Sequence, residues 1–239
     1  MPSSNLHRFA KQIAFVKARF SPEGYLGLHL TIGALIMIGA TWLFAAIAED
    51  VVTADRLTLV DVQFSAWLHA NGKPWLTAAL LLVTNVHATL GVTIITLAIF
   101  LYLLKSKEKK WALILALAVV GGMLLNVVLK NIFHRARPHF DNPILTLTSY
   151  GFPSGHTMAA TCLYGALAAF ALSKLKAWRW RVLAVVMAGF MILLVGFSRI
   201  YLGAHYLSDV LGAIAEGLVW LAFCLTAVSV VRHRLSSRI

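Results

Sequence analysis

Apolar runs close to twenty residues long recur through this chain, and its charges gather in the short stretches between them. In a hydrocarbon solvent every backbone N–H and C=O must find a partner within the protein. That condition leaves only helices and closed barrels. The runs here are continuous rather than alternating, and each is long enough for a helix to cross about 30 Å of hydrocarbon. The chain is therefore read as all-α, a polytopic membrane protein. Composition agrees: 60% of residues are hydrophobic, only 13% are charged, and mean hydropathy is +0.81. A soluble domain with so little charge would not stay in solution.

Six spans are expected, at about Tyr25–Ala48, His87–Leu104, Trp111–Phe133, Ser154–Leu172, Val182–Phe197 and Tyr206–Val231. The start of the second is the least defined, because Trp75–Val86 reads as a short helix of its own. Gly121, Gly122 and Asn126 mark the third span for close helix packing. The residues from 1 to 239 form one membrane domain, with 130–209 carrying the motifs described below.

Net charge is +12, which on a soluble domain would point to nucleic acid. Here the cations fall at the termini and in the loops after the second and fourth spans, as expected of cytoplasmic segments. Nucleic acid is not expected as a partner. Both termini are placed in the cytoplasm, and the chain in the inner membrane. Residues 1–22 open with Leu6, Phe9, Ile13, Val16 and Phe20 at helical spacing, opposite Arg8, Lys11, Lys17 and Arg19. That pattern fits an amphipathic helix on an anionic leaflet. The outer loop, 49–86, is acidic (Glu49, Asp50, Asp55, Asp61) and holds a second amphipathic helix over Leu57–Ala70. No cleavable signal peptide is apparent. Cys162 and Cys224 lie inside apolar runs and read as small core residues.

Two basic motifs break the charge pattern. Lys130 and Arg137-Pro138 end the third span, and Pro153-Ser154-Gly155-His156 opens the fourth. Cations held at a membrane boundary are costly, so they mark a working site. Ser154 suits a helix N-cap, and the backbone N–H groups of such a helix start favour an anion. A third segment adds Ser198-Arg199, His205 and Asp209. His205 and Asp209 are four apart, within reach on one helical face. The carboxylate can hold one imidazole nitrogen as N–H and leave the other as a lone-pair nucleophile. Lys130, Arg137 and Arg199, with Ser154 and Gly155, would cradle a phosphate. His156 would protonate the leaving oxygen. No cofactor and no metal is expected, because the cations take the metal's place and no carboxylate cluster is visible.

These residues, in this order and spacing, resemble the three-part signature of the type 2 phosphatidic acid phosphatase superfamily, in its bacterial integral membrane branch. The signature covers 130–209, and the six-helix plan extends the likeness over nearly the whole chain. The resemblance implies His205 as nucleophile, Asp209 as its activator and His156 as acid. It further implies metal-free hydrolysis of phosphate monoesters or diphosphates of lipids that enter sideways from the bilayer. The related vanadate-dependent haloperoxidases share the anion pocket but are soluble. Undecaprenyl diphosphate, phosphatidylglycerol phosphate, phosphatidate and a lipid A phosphate are all compatible substrates, with a lean to the first by analogy of fold. Transfer of the phosphate to an acceptor lipid is the rival reaction, and a non-catalytic lipid-binding protein the rival class. His134 and Arg135 are open between phosphate contact and headgroup contact, while His139, Asp141 and Asn142 read as a solvated loop, with headgroup contact as the alternative. His87 and Asn85 read as helix-end polar groups, and Tyr201 and Tyr206 as interfacial anchors, with pocket lining as the alternative.

Overall fold

The computed structural model describes residues 27–236. The expected N-terminal amphipathic helix, and the helix start at Ser21-Pro22-Glu23, lie outside them. Among the described residues every regular element is a helix. Helix α1 spans Gly27–Thr53, α2 Arg56–Ala70, α3 Pro74–Val86 and α4 Thr89–Lys105. Helix α5 spans Lys109–Phe133, with a π turn at Leu117–Gly121. Helices α6 (Gly155–Lys174), α7 (Trp178–Tyr201) and α8 (Leu207–Ser236) follow.

Five of these helices are long and apolar enough to cross a membrane, and α3 with α4 makes a sixth span bent by 55°. The expected second span is thus the lower half of a broken one, and the short helix beside it is the upper half. Pro74 starts α3 where its missing N–H costs nothing. The break falls at His87-Ala88. Gly91 permits it: a Cβ there would lie 2.1 Å from the Val86 carbonyl oxygen.

Helix α6 sits at the centre, against α5, α7 and α8, while α1 packs along α8. Small side chains make its position possible, with Ala159, Ala160, Thr161 and Cys162 all buried. A Cβ on Gly122 would stand 2.3 Å from the Met158 methyl carbon, so α5 and α6 approach as closely as the Gly121-Gly122 pair suggested. At the π turn the Leu117 carbonyl accepts from the Trp220 indole N–H at 3.0 Å. Trp42, Ile38, Leu124 and Leu193 stand out on the flanks, as lipid-facing residues do.

Two expectations need correction. Helix α1 runs on to Thr53 rather than stopping near Ala48, and α7 extends through Arg199 to Tyr201 rather than ending at Phe197. The reason is the same in both: a polar residue at the end of a span can turn inward or reach the interface, so the helix has no need to stop at it. Helix α2 forms where expected, but its faces are not those of a helix on a water surface. Asp61 (1% exposed) and Ser65 (3%) are buried, while Leu59, Val60 and Trp67 are exposed. Its polar face is turned into the protein.

Candidate active site

Three chain segments meet at one end of the bundle, around a cavity of about 350 Å3. Lys130 and Asn126 reach it from the last turns of α5, Gly155 and His156 from the first turn of α6, and Arg199 from the last turn of α7. Arg137 and Ser149 come from the loop between α5 and α6, and His205 from the short connection before α8. Six of the residues singled out in the sequence line this one space: Lys130, Arg137, Gly155, His156, Arg199 and His205. Asp209 stands directly behind His205. Ser154 takes the N-cap position of α6 but makes no side-chain cap bond. It is fully buried, and its hydroxyl accepts from Thr157 at 3.0 Å while its N–H donates to the Asp209 carbonyl at 3.0 Å. At that corner it is Gly155 and His156 that line the cavity.

The His205 ring is held on both sides. Nδ1 is 3.2 Å from Asp209 Oδ2, which also accepts the Tyr206 N–H at 2.9 Å. Nε2 is 3.0 Å from Arg137 Nη1. An arginine can only donate, so Nε2 is the lone-pair nitrogen and Nδ1 carries the proton. Burial lowers the His205 pKa to about 3, with Arg137 and Arg199 acting in the same direction and Asp209 opposing them. The imidazole is thus neutral at ordinary pH, with its lone pair directed at the cavity.

The cations are fixed by neutral oxygens, which leaves their charge unspent. Lys130 donates to the Tyr150 carbonyl at 2.7 Å. Arg137 donates from Nε to the Ser149 carbonyl at 2.6 Å and from Nη1 to the Ala204 carbonyl at 2.6 Å. Burial lowers the Arg137 pKa, and Asp209 only partly offsets it. Arg199 is 2% exposed, pairs with the Thr84 hydroxyl, and has its Nε buried without a partner. Three cations around one cavity, with their counter-ions elsewhere, make a site poised for a multiply charged anion. Among the described residues, no three His, Cys, Asp or Glu side chains come together as a metal-binding group.

Several participants were not singled out by their residue types. Thr84, in the last turn of α3, fixes Arg199. His87, at the break below it, lines the cavity; its Nδ1 lies 2.8 Å from the Val83 carbonyl and its Nε2 2.7 Å from the Tyr164 hydroxyl. Asn126 lines the cavity and donates to buried Glu216 at 2.9 Å. For Thr84 and His87 the only signal in the sequence was polarity next to a span of doubtful start, and Asn126 read as a packing residue of the third span. Tyr201 is buried rather than interfacial, and its hydroxyl accepts the Lys73 N–H at 2.7 Å. His134, His139, Asp141 and Asn142 are exposed and none lines the cavity. Arg135 lies behind Asp209.

The comparisons with known proteins fit this geometry. A family model, the PAP2 superfamily, matches residues 111–232. Phosphatidylglycerophosphatase B of Bacillus subtilis is 37% identical over 184 residues, covering 74% of this chain and 88% of that protein. Undecaprenyl-diphosphatase BcrC of the same organism is 28% identical, covering 56% and 65%. The crystal structure of a transmembrane PAP2-type phosphatidylglycerolphosphate phosphatase from Bacillus subtilis superposes with a TM-score of 0.72 at 30% identity, covering 80% of this chain and 94% of that one.

Proposed function

This chain belongs to the PAP2 superfamily, a family of phosphatases of lipid phosphates, and we propose that it works through a phosphohistidine at His205, without a metal. The observation that carries this reading is the His205 ring, with Nδ1 held by Asp209 and Nε2 facing a cavity walled by Lys130, Arg137 and Arg199.

In the first step His205 Nε2 attacks phosphorus. The N–P bond forms and the bond from phosphorus to the lipid oxygen breaks. His156 gives that oxygen its proton. Arg137, which donates to Nε2 in this structure, turns its N–H to a phosphate oxygen as the lone pair is taken up. Lys130, Arg199 and the Gly155 N–H stabilise the remaining charge. In the second step water attacks phosphorus, His156 takes a proton from it, and the N–P bond breaks to release phosphate. The cations supply the charge stabilisation that a metal ion gives other phosphatases.

The substrate we favour is phosphatidylglycerol phosphate. It is the substrate class in the name of a relative that matches along 88% of its length, and this moves the weight away from undecaprenyl diphosphate. The latter is the second reading, supported by BcrC. We assign the site to the extracytoplasmic side and both termini to the cytoplasm, a reading supported by the lysines and arginines gathered at the termini and in the loops after the second and fourth spans. Phosphate release from a panel of the four candidate lipids, with EDTA present, tests the reading. One lipid is expected to be cleaved fastest, EDTA is expected to have no effect, and His205→Ala is expected to lose roughly 10^4-fold in turnover. An EDTA-sensitive enzyme, or an active His205→Ala protein, would overturn the mechanism.

A further inference from the structure

Arg135 lies two residues before Arg137 and does the opposite work. It does not line the cavity. Its guanidinium sits on the far side of Asp209, where Nη1 donates to Asp209 Oδ1 at 2.6 Å and to the Ser208 hydroxyl at 2.5 Å. Nη2 donates to Asp61 Oδ2 at 2.7 Å. Asp61 comes from α2, and it accepts both the Ser208 N–H, at 2.9 Å, and the Ser208 hydroxyl. Both carboxylates are fully buried, and the arginine side chain is 11% exposed. The Tyr206 ring covers the guanidinium at 4.9 Å. Burial opposes the charge on Arg135, but Asp209 and Asp61 outweigh it and raise its pKa. The cation is permanent.

A buried carboxylate–arginine–carboxylate row is expensive unless every charge is answered. Here each is, and the row ends on the nucleophile's partner. Asp209 has two oxygens, and the Oδ1 bond to Arg135 decides that Oδ2 is the one that meets His205. The charges add up as well. Arg135 alone would cancel Asp209. With Asp61 present the row keeps one net negative charge behind His205, where positive charge grows as the N–P bond forms.

We infer that Asp61 and Arg135 are positioning residues for the phosphatase reaction, a clamp that acts through Asp209 to aim and charge-balance His205. The inference rests on the reading of His205 as nucleophile. It brings α2, which precedes the segment matched by the family model, into the working parts of the enzyme. A planar fork that bridges two carboxylates is needed, so lysine is a poor substitute.

The test is steady-state kinetics on the full chain with the lipid that the panel shows to be cleaved. Arg135→Gln and Asp61→Asn are each expected to lower kcat by about 10- to 100-fold, the scale of a misaimed catalytic group, with KM moved by less than about threefold. Arg135→Lys should recover less than half of the loss in log units. In an Asp209→Asn background, adding either change should cost less than about threefold, since the clamp has no other route to His205. Asp61→Asn keeps the side chain's shape, so it carries the test if Arg135→Gln does not fold. A raised KM with unchanged kcat would make Arg135 a substrate contact and overturn the inference. So would unchanged kcat in both variants, or losses that add in full to that of Asp209→Asn. His205→Ala separates the two levels: if it is inactive while the clamp variants are normal, only the clamp fails. If it is active, the nucleophile reading fails first and the clamp with it.

Discussion

At one end of the bundle Arg199 is 2% exposed and pairs with the Thr84 hydroxyl. At the other, Lys174 meets Glu108 in an ion pair whose side chains are 47% and 28% exposed. The two ends draw on the same residue types. A larger cavity, about 510 Å3, even lies at the second end, with Lys110 and Arg181 in its wall. Among the described residues no histidine and no carboxylate lines it. The difference shows what makes a cation functional in a membrane protein. Exposed cations are satisfied by water, so they set orientation and little else. Buried cations fixed by hydroxyls and carbonyls keep an unmet charge, and we propose that this unmet charge binds substrate.

The sharpest way to break this comparison is to remove a buried cation. Arg199→Ala is expected to lower kcat/KM by roughly 10^3-fold, the scale of losing a preorganised donor to transition-state charge, read by phosphate release. Activity within twofold of the parent would mean that burial does not mark function here. A smaller effect belongs to the partner that fixes it. Thr84→Val removes the hydroxyl paired with Arg199 while keeping its shape. It should cost about tenfold in kcat/KM, the equivalent of one hydrogen bond to a charged group, with the fold intact by circular dichroism.

Stability against pH sharpens the contrast further. The folded His205 pKa, about 3, lies below its ordinary 6.5, so the unfolded chain takes up the proton first. Its contribution is complete above 6.5 and is lost as pH falls from there toward 3. Between pH 7 and 5 the melting temperature of the parent should therefore fall more steeply than that of His205→Gln. Parallel curves would show that the imidazole is not held neutral by burial. The smallest effect is expected at the other end. Lys174→Ala should leave turnover unchanged and alter stability by less than about 1 kcal/mol, as exposed pairs do; a loss of activity would show that this end is coupled to the site.

Much of this was legible before any coordinates. The six spans follow from run length, and the second was uncertain for a physical reason: it is broken at His87-Ala88, and a break divides one long hydropathy signal into two short ones. His205, Arg137, Lys130, His156 and Arg199 could be singled out because they break the charge pattern, standing at the span ends opposite the other basic loops, and Asp209 and Gly155 by their spacing from two of them. Asp61 could not. In an acidic outer loop it looked like its neighbours Asp50 and Asp55, and only its burial sets it apart. Arg135 was open between substrate and headgroup, because in an irregular loop sequence spacing does not say which way a side chain points.

The sequence by itself determined the class of fold, the length of the spans and the inventory of the site. Hydrocarbon thickness and the need to pair every backbone group leave few other solutions. It also determined that His205 and Asp209 lie within reach of each other, although His205 stands in the connection before α8 and only Asp209 is in the helix, in its first turn. Only the tertiary structure decided that Arg137 faces the phosphate cavity while Arg135 faces two carboxylates. Only it decided that Ser154 is turned away from the cavity, and that α2 presents its polar face to the protein. Those outcomes depend on packing between segments far apart in the chain, where Asp61 and Ser208 are 147 residues apart and no local periodicity records the contact.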